Sequence, residues 1–504
     1  MQLRGQAWGR QHLENAAAAA PPLRQAVFAS GRPWAFIPHR PRRTRGIGSV
    51  LARAVSMSDS ERRKTIIERL LSPIAEVRRE EAASVLVMTL LMFLLLGAYY
   101  MLKTAREVFI LTEGGAEIKS YSSAGQAILL LFLVPAYGAF ASRVNRVRLV
   151  VTVTLFFAAN LLLFILAVRG GLHVGIVYFL WVGIFNLMAI AQFWALANDL
   201  YTKEQGQRLF PLIGVGSSLG AWVGAVRAGD VIADWGPNRL LAGAAVILVI
   251  CASLAPLVNR LTARAVPAAH AADGDKPVGG AGGFELIRND RYLMLIAALM
   301  VFVNLVNTSG EYLFGRYVVE QANAMYGTGA DAAAVRERFV GETYSRLFGT
   351  VNLVGFLLQM FVVSRVFKFL GVGRSLFIHP IVAFAGYLMV LRAPSVQLMG
   401  LLKVADNSLD YSLGNTTKQA LWLPTSREAK YKAKQAVDSF FVRVGDVLSA
   451  GVVYAGERLL LSVPAFATIT LALVGGWLGV VAMINSHTAR RPRNAPAHAA
   501  EKPA

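Results

Sequence analysis

The sequence predicts an all-α integral membrane protein of about twelve transmembrane helices in two six-helix pseudo-repeats. Three observations predict it. Of 504 residues, 55% are hydrophobic and only 16% charged, where a soluble domain carries about a quarter charged residues. Apolar runs of about 20 residues, the length that crosses a bilayer as a helix, recur along the chain. Cations gather in alternate short connections between those runs, as topology requires of a polytopic protein.

The chain opens on a basic region, residues 1–83, expected to be partly disordered. Its first 56 residues hold nine arginines, Arg4 to Arg53, against the single acid Glu14. Arg-rich and acid-poor composition suggests a transit peptide, but the alanine run and scattered prolines form no amphipathic helix. An over-called start, with Met57 as the initiator, is the expectation.

The first six spans fall near 84–102, 125–140, 149–168, 174–197, 210–233 and 240–258. The second six fall near 292–314, 344–366, 375–391, 396–423, 436–455 and 463–484. The N-terminal half is therefore 84–258 and the C-terminal half 291–486. Between them, 259–290 reads as a flexible linker, with Pro267, Pro277 and a Gly-Gly-Ala-Gly-Gly run, and 487–504 as a tail. Residues 331–338 read as a short surface helix. Arg143, Arg146, Arg148, Lys203, Arg208, Arg365, Lys368, Arg374, Arg427, Lys430, Lys432 and Lys434 occupy one set of loops, which places both termini in the cytoplasm. The net charge of +21 follows from this bias, so nucleic acid is not an expected partner; the bilayer is. The single cysteine, Cys251, excludes a disulfide framework and reads as an inert buried thiol.

Two segments recur at similar offsets. Ala141-Ser-Arg143-Val-Asn-Arg146 ends span two, as Val363-Ser-Arg365-Val-Phe-Lys368 ends span eight. Trp194 and Gly216-Ser-Ser-Leu-Gly-Ala221 answer Trp422 and Gly445-Asp-Val-Leu-Ser-Ala450. A parallel six-plus-six repeat is the major facilitator plan.

Charges inside the spans are the informative residues, since each costs about 2.5–3.5 kcal/mol near the bilayer centre on insertion scales. In span ten, Lys403, Asp406, Asn407, Asp410, Gly414 and Lys418 share one helical face, which must point at a bundle interior or a wet cavity. Tyr99 to Glu107, holding Lys103 and Arg106, fits either an interfacial anchor with snorkelling bases or a cavity mouth that attracts an anion. Span seven aligns Asn304, Asn307 and Glu311; asparagines there are commonly interhelical glue, whereas the Glu311 carboxylate needs a partner or a proton. Gly216, Gly220 and Gly224 suit close helix packing, and Arg227 with Asp230 a mutual ion pair. His379 reads as structural. Bases and acids within the spans nearly balance, so an anionic small-molecule substrate is permitted but not required. No Walker-type loop and no metal-ligand spacing occur in the sequence, so no cofactor or metal and no enzymatic activity are expected. A polytopic enzyme acting on lipid substrates is the less favoured alternative; it calls for an acid or His cluster at one membrane face, absent from the sequence pattern.

Four stretches resemble the ATP/ADP translocase family of plastids and intracellular bacteria. They are Tyr99 to Glu107; Phe193-Trp194-Ala-Leu-Ala197-Asn198 with Phe210-Pro-Leu-Ile-Gly214-Val-Gly216; Tyr411-Ser-Leu413 through Lys418 to Trp422-Leu-Pro424; and Lys430-x-Lys432-x-Lys434-x-Ala436-x-Asp438. The resemblance runs in order over 96–484 and implies a divergent bacterial-type member. It implies a secondary transporter working by alternating access, exchanging nucleotides in an ATP:ADP antiporter-like way, or moving another organic or phosphorylated anion. The family's basic residue at the end of helix one falls on Arg106. Two family acidic residues fall on Val182 and Asn307, which lack carboxylates, with Glu311 one turn from the latter. The expected roles are anion attraction by Lys103 and Arg106, cavity contacts by Lys403, Asp406 and Lys418, charge compensation at Glu311, and an inner gate of Lys434 and Asp438. A monomer in the bacterial inner membrane is the expected setting.

Overall fold

The computed structural model describes residues 77–141, 145–265, 282–426 and 428–490. The basic N-terminal region before residue 77, most of the linker, Arg143, Arg427 and most of the tail lie outside the described residues. What is described is mainly helical, and each of the twelve expected spans falls mainly on helical backbone. The longest element, α1 (Arg79–Ala141), supplies spans one and two, because Gly115 takes φ 72° and folds one continuous helix into two arms. Spans three to six are α2 (Arg146–Arg169), α3 (Gly175–Leu200), α4 (Lys203–Trp235) and α5 (Pro237–Ala265). Local chemistry sets their starts. The Asn145 side chain accepts from the N–H groups of Val147 and Arg148, and Thr202 with Gln205 forms a reciprocal capping box at α4.

A short α6 (Gly283–Asn289) precedes α7 (Arg291–Tyr326), which Asp290 caps at 2.7 Å from the Tyr292 N–H. Next come α8 (Ala333–Leu357), α9 (Val363–Ser375), α10 (Ile378–Arg392), α11 (Val396–Leu409), α12 (Asn415–Ala420), α13 (Lys434–Ala436), α14 (Val442–Arg458) and α15 (Val463–Arg490). Spans eight, ten and eleven are assembled from several of these, joined by π-helical turns at Leu358–Val362, Asp410–Gly414 and Val437–Phe441. Such turns insert extra backbone without ending a helix and often sit at functional positions. The surface helix expected at 331–338 is instead a 3₁₀ turn, Ala330–Ala332, running into the first turns of α8. No proline separates those turns from the span, so the helix propagates through them.

Eight of the described helices are long and apolar enough to cross a membrane alone, and the chain has the all-α architecture of a multi-pass membrane protein. Within the first half, α4 lies on α1 at the glycine stripe. A side chain at Gly216 would meet Thr89, one at Gly220 the Phe93 carbonyl, and one at Gly224 the backbone of Gly97. The two halves touch where α4 meets α8, where α1 meets α7 and α8, and where the second arm of α1 meets α14. Ser345 of α8 donates to the Ala225 carbonyl at 2.8 Å and accepts from the Gly229 N–H at 3.1 Å. Tyr121 and Tyr454 face each other with ring centroids 6.3 Å apart. These contacts close one end of the bundle.

Candidate functional site

The kink at Gly115 builds the centre of the site. On an unbroken helix, residues twelve positions apart stand about 18 Å apart along the axis. Folding α1 at Gly115 brings Lys119 of the second arm to 2.7 Å from Glu107 of the first. Glu107 also pairs with Arg106 at 2.5 Å. Lys119 in turn reaches across to the other half: it lies 3.3 Å from Glu311 of α7 and donates to the Tyr344 hydroxyl of α8 at 3.3 Å.

From Glu311 the contacts continue into α11 and α10. Lys403 lies 3.2 Å from Glu311 and 3.3 Å from Asp406, and donates to Asn307 Oδ1 at 2.9 Å. Asn407 donates to Glu311 at 3.3 Å. His379 closes the series 2.8 Å from Asp406, its ring edge-on to Trp477. Seven side chains, Arg106–Glu107–Lys119–Glu311–Lys403–Asp406–His379, thus form one continuous series in which base and acid alternate. Glu107 and Lys403 are completely buried, Asp406 and Lys119 nearly so, while Glu311 keeps 23% of its side chain exposed. An unpaired charge in this setting would cost several kcal/mol, so each residue depends on its neighbours in the series.

The sequence places Lys403, Asp406, Asp410 and Lys418 on one face, and the structure divides them. Lys403 and Asp406 are sealed within the series. Asp410, in the π-helical turn, pairs with Lys418 at 2.8 Å, both about one-fifth exposed. This second pair lines a cavity of about 20 Å³ with His379 and Trp477, room for one or two waters. Lys434 lies 3.5 Å from Asp438 on adjacent turns, with Asp438 43% exposed. Lys103 differs from all of these. Its ammonium sits 4.3 Å from the Phe348 ring centroid and 5.3 Å from that of Tyr100, and no carboxylate among the described residues approaches within 4.0 Å. Arg106 stacks 4.5 Å over Phe179, which leaves its guanidinium edge for Glu107.

The remaining sequence expectations can be placed. Asn304 donates to Asp446 at 2.7 Å and to the Val442 carbonyl at 2.7 Å, the interhelical role expected of it. Arg227 and Asp230 pair with each other at 3.4 Å on an exposed face. Lys119 escaped the sequence reading, which left it in an outer loop; Glu107 was seen only as part of a motif. The available signal was the buried-acid problem at Glu311, which demanded a base from somewhere. Among the described residues no three His, Cys, Asp or Glu side chains gather in a metal-binding cluster.

Comparison with known proteins fits this architecture. No family model matches the chain. Among curated proteins it is 24% identical over 338 residues to ADP,ATP carrier protein 1 of Chlamydia trachomatis, covering 60% of this chain and 62% of that one. It is 22% identical over 469 residues to ADP,ATP carrier protein 4 of Rickettsia conorii, covering 78% and 88%. The match therefore spans less than two-thirds of the chlamydial carriers and most of the rickettsial one. Among solved structures, a bacterial homologue of the iron transporter ferroportin in its inward-facing state superposes with TM-score 0.57 at 14% identity, over 80% of this chain and 99% of that one. The nucleoside transporter NupG does so with TM-score 0.53 at 12% identity, over 81% and 100%. These relatives and neighbours are carriers and transporters rather than enzymes. The chain is thus distantly similar to ADP,ATP carrier proteins and shares the major facilitator-like fold of the solved transporters.

Proposed function

We propose that this protein is a secondary transporter that exchanges nucleotides across the membrane by alternating access of its two six-helix halves, 84–258 and 291–486, joined by the 259–290 linker. The observation that carries the reading is the alternating series, which crosses between the halves at a single link, Lys119 to Glu311. Within each half the charges already have partners: Lys119 has Glu107, and Lys403 has Asp406. The halves can therefore part at this link without abandoning a bare charge, which suits a gate that must open and close. Lys103, with no carboxylate beside it, and Arg106 next to it are the groups to which an anion is drawn. Lys418 is the accessible base of span ten, and the Lys434–Asp438 pair, beside the same end of the bundle, is the inner gate.

In an exchanger the unoccupied carrier must be reluctant to swing. Lys103 and Arg106 held close in a low-dielectric interior repel each other, and a bound polyanion relieves that repulsion in both states. The relatives' names supply the nucleotide. The absence of carboxylates at Val182 and Asn307 favours, as a second reading, another phosphorylated anion of similar charge. The setting proposed is a monomer in a bacterial inner membrane with both termini in the cytoplasm.

Proteoliposomes test the proposal. Labelled ATP should enter only when ADP is present inside, and Lys103→Met or Arg106→Gln should lower uptake about tenfold or more, the loss of one charge-assisted contact, while the protein remains monodisperse. Uptake indifferent to the internal nucleotide would remove exchange. Uptake of sugar phosphates in place of nucleotides would establish the second reading.

A further inference from the structure

A cavity of about 160 Å³ lies where the kink of α1, the end of α7 and the start of α8 converge, lined by Leu111, Thr112 and Gly115 with Asn323, Arg336 and Val340. It stands at the opposite end of the bundle from Lys418. The start of α7 touches that region, Tyr292 donating to the Leu421 carbonyl, and Asn323 is 31 residues further along, about 45 Å at 1.5 Å per residue. The cavity exceeds many times the roughly 10–15 Å³ that one water needs, and falls below the roughly 300 Å³ at which pockets begin to take drug-sized ligands.

Arg336 makes this cavity chemically specific. Its Nη1 donates to Asn323 Oδ1 at 3.2 Å, its Nε is buried without a hydrogen-bond partner, and no carboxylate among the described residues lies within 4.0 Å of it. Of the acids nearby, Glu337 adjoins Arg336 in sequence and attracts it without coming within 4.0 Å, and two others are engaged elsewhere. Glu113 accepts from the N–H groups of Val174 and Gly175 at 3.2 and 2.6 Å, and Glu342 pairs with Arg338 at 2.9 Å. The Asn323 amide, whose oxygen accepts from Arg336, also carries two N–H donors at the lining of the cavity. The second arm of α1 starts at Gly115 while its first arm and α7 end beside the cavity, so helix dipoles of both signs meet here and the net attraction for an anion rests on Arg336. A cationic fork and an amide donor around a small cavity are the components of an oxyanion site.

We infer that this cavity binds a single phosphate-sized oxyanion, and that the anion ties the two halves together at this end. Leu111, Thr112 and Gly115 belong to the first half, and Asn323, Arg336 and Val340 to the second, so the site is whole only while the halves are closed here. By linkage, an anion that binds the closed arrangement better holds it closed. The same chemistry is offered by free inorganic phosphate and by the terminal phosphoryl group of a larger solute arriving from this face. None of the proposed transport residues takes part, so the site stands independently of the nucleotide reading.

The experiment uses the full-length protein in lipid nanodiscs with Cys251→Ala and a reporter, Ala116→Cys, buried against Gly315 of α7. Labelling by a charged maleimide is followed with inorganic phosphate, ATP or chloride present. Phosphate should slow labelling at least about threefold, Arg336→Gln should abolish that protection, and Arg336→Lys should keep part of it. Lys103→Met should leave it intact, which separates this site from the transport site. Protection by ATP alone, dependent on Arg336, would assign the site to the phosphoryl group of a solute. Equal protection in the parent and in Arg336→Gln, or none in the parent at phosphate concentrations that saturate ordinary anion sites, would overturn the inference.

Discussion

Glu311→Gln is the most discriminating single change, because Glu311 is where the two halves share a charge. The glutamine keeps the shape and the capacity to accept from Asn407, and removes only the negative charge. Lys119 then retains Glu107 at 2.7 Å, and Lys403 retains Asp406 at 3.3 Å and Asn307 at 2.9 Å. Neither lysine is stranded, so the fold should survive, while the attraction across the gap is lost. A fully buried pair broken on one side costs about 3–5 kcal/mol. Glu311 is 23% exposed and both lysines keep another acid, so about 1–3 kcal/mol is the reasoned figure. That corresponds to roughly a 5–150-fold shift toward opening at this end. The sign is fixed, since the link exists only in the closed arrangement. The assay is the maleimide labelling rate of Ala116→Cys, whose side chain is 7% exposed when the end is closed. Labelling should accelerate by that factor at unchanged thermal stability. A rate equal to that of the parent, in protein that remains monodisperse, would refute the idea that the alternating series holds the halves together.

Three further outcomes follow from the packing. Gly220→Val should lower thermal stability by roughly 1–3 kcal/mol or block assembly, because its new methyls run into the Phe93 carbonyl of α1; Gly451→Ala, with open space around it, should be neutral in the same melt. Asn304→Leu strips Asp446 of one of its donors, leaving Thr308 at 2.9 Å and Arg443 at 3.3 Å, and should cost about 0.6–2 kcal/mol by denaturation in detergent. Lys418→Met and Asp410→Asn should each impair uptake more than the double variant impairs stability; a double-mutant cycle should show coupling of about 0.5–3 kcal/mol, and strict additivity would mean that the pair is not formed.

The sequence alone determined the class. Hydropathy runs and loop charges are local quantities, and a bilayer reads them locally, so the number of crossings and the all-helical backbone could be written down from the sequence. It also determined that Glu311 must be compensated, because an ionised carboxylate among lipid tails has no other stable solution. The tertiary structure decided who compensates it. Lys119 looked like a loop residue until the positive φ of Gly115 folded α1 back on itself, and the contact from Lys119 to Glu311 joins residues 192 positions apart. Likewise, the four charges of span ten share a helical face in sequence, but the π-helical turn at Asp410–Gly414 and the approach of α7 and α10 divide them into a sealed series and a half-exposed pair. Periodicity reports which face a side chain takes on its own helix. Which neighbour meets that face is set by how helices distant in sequence pack, and that information lies in no single stretch of the chain.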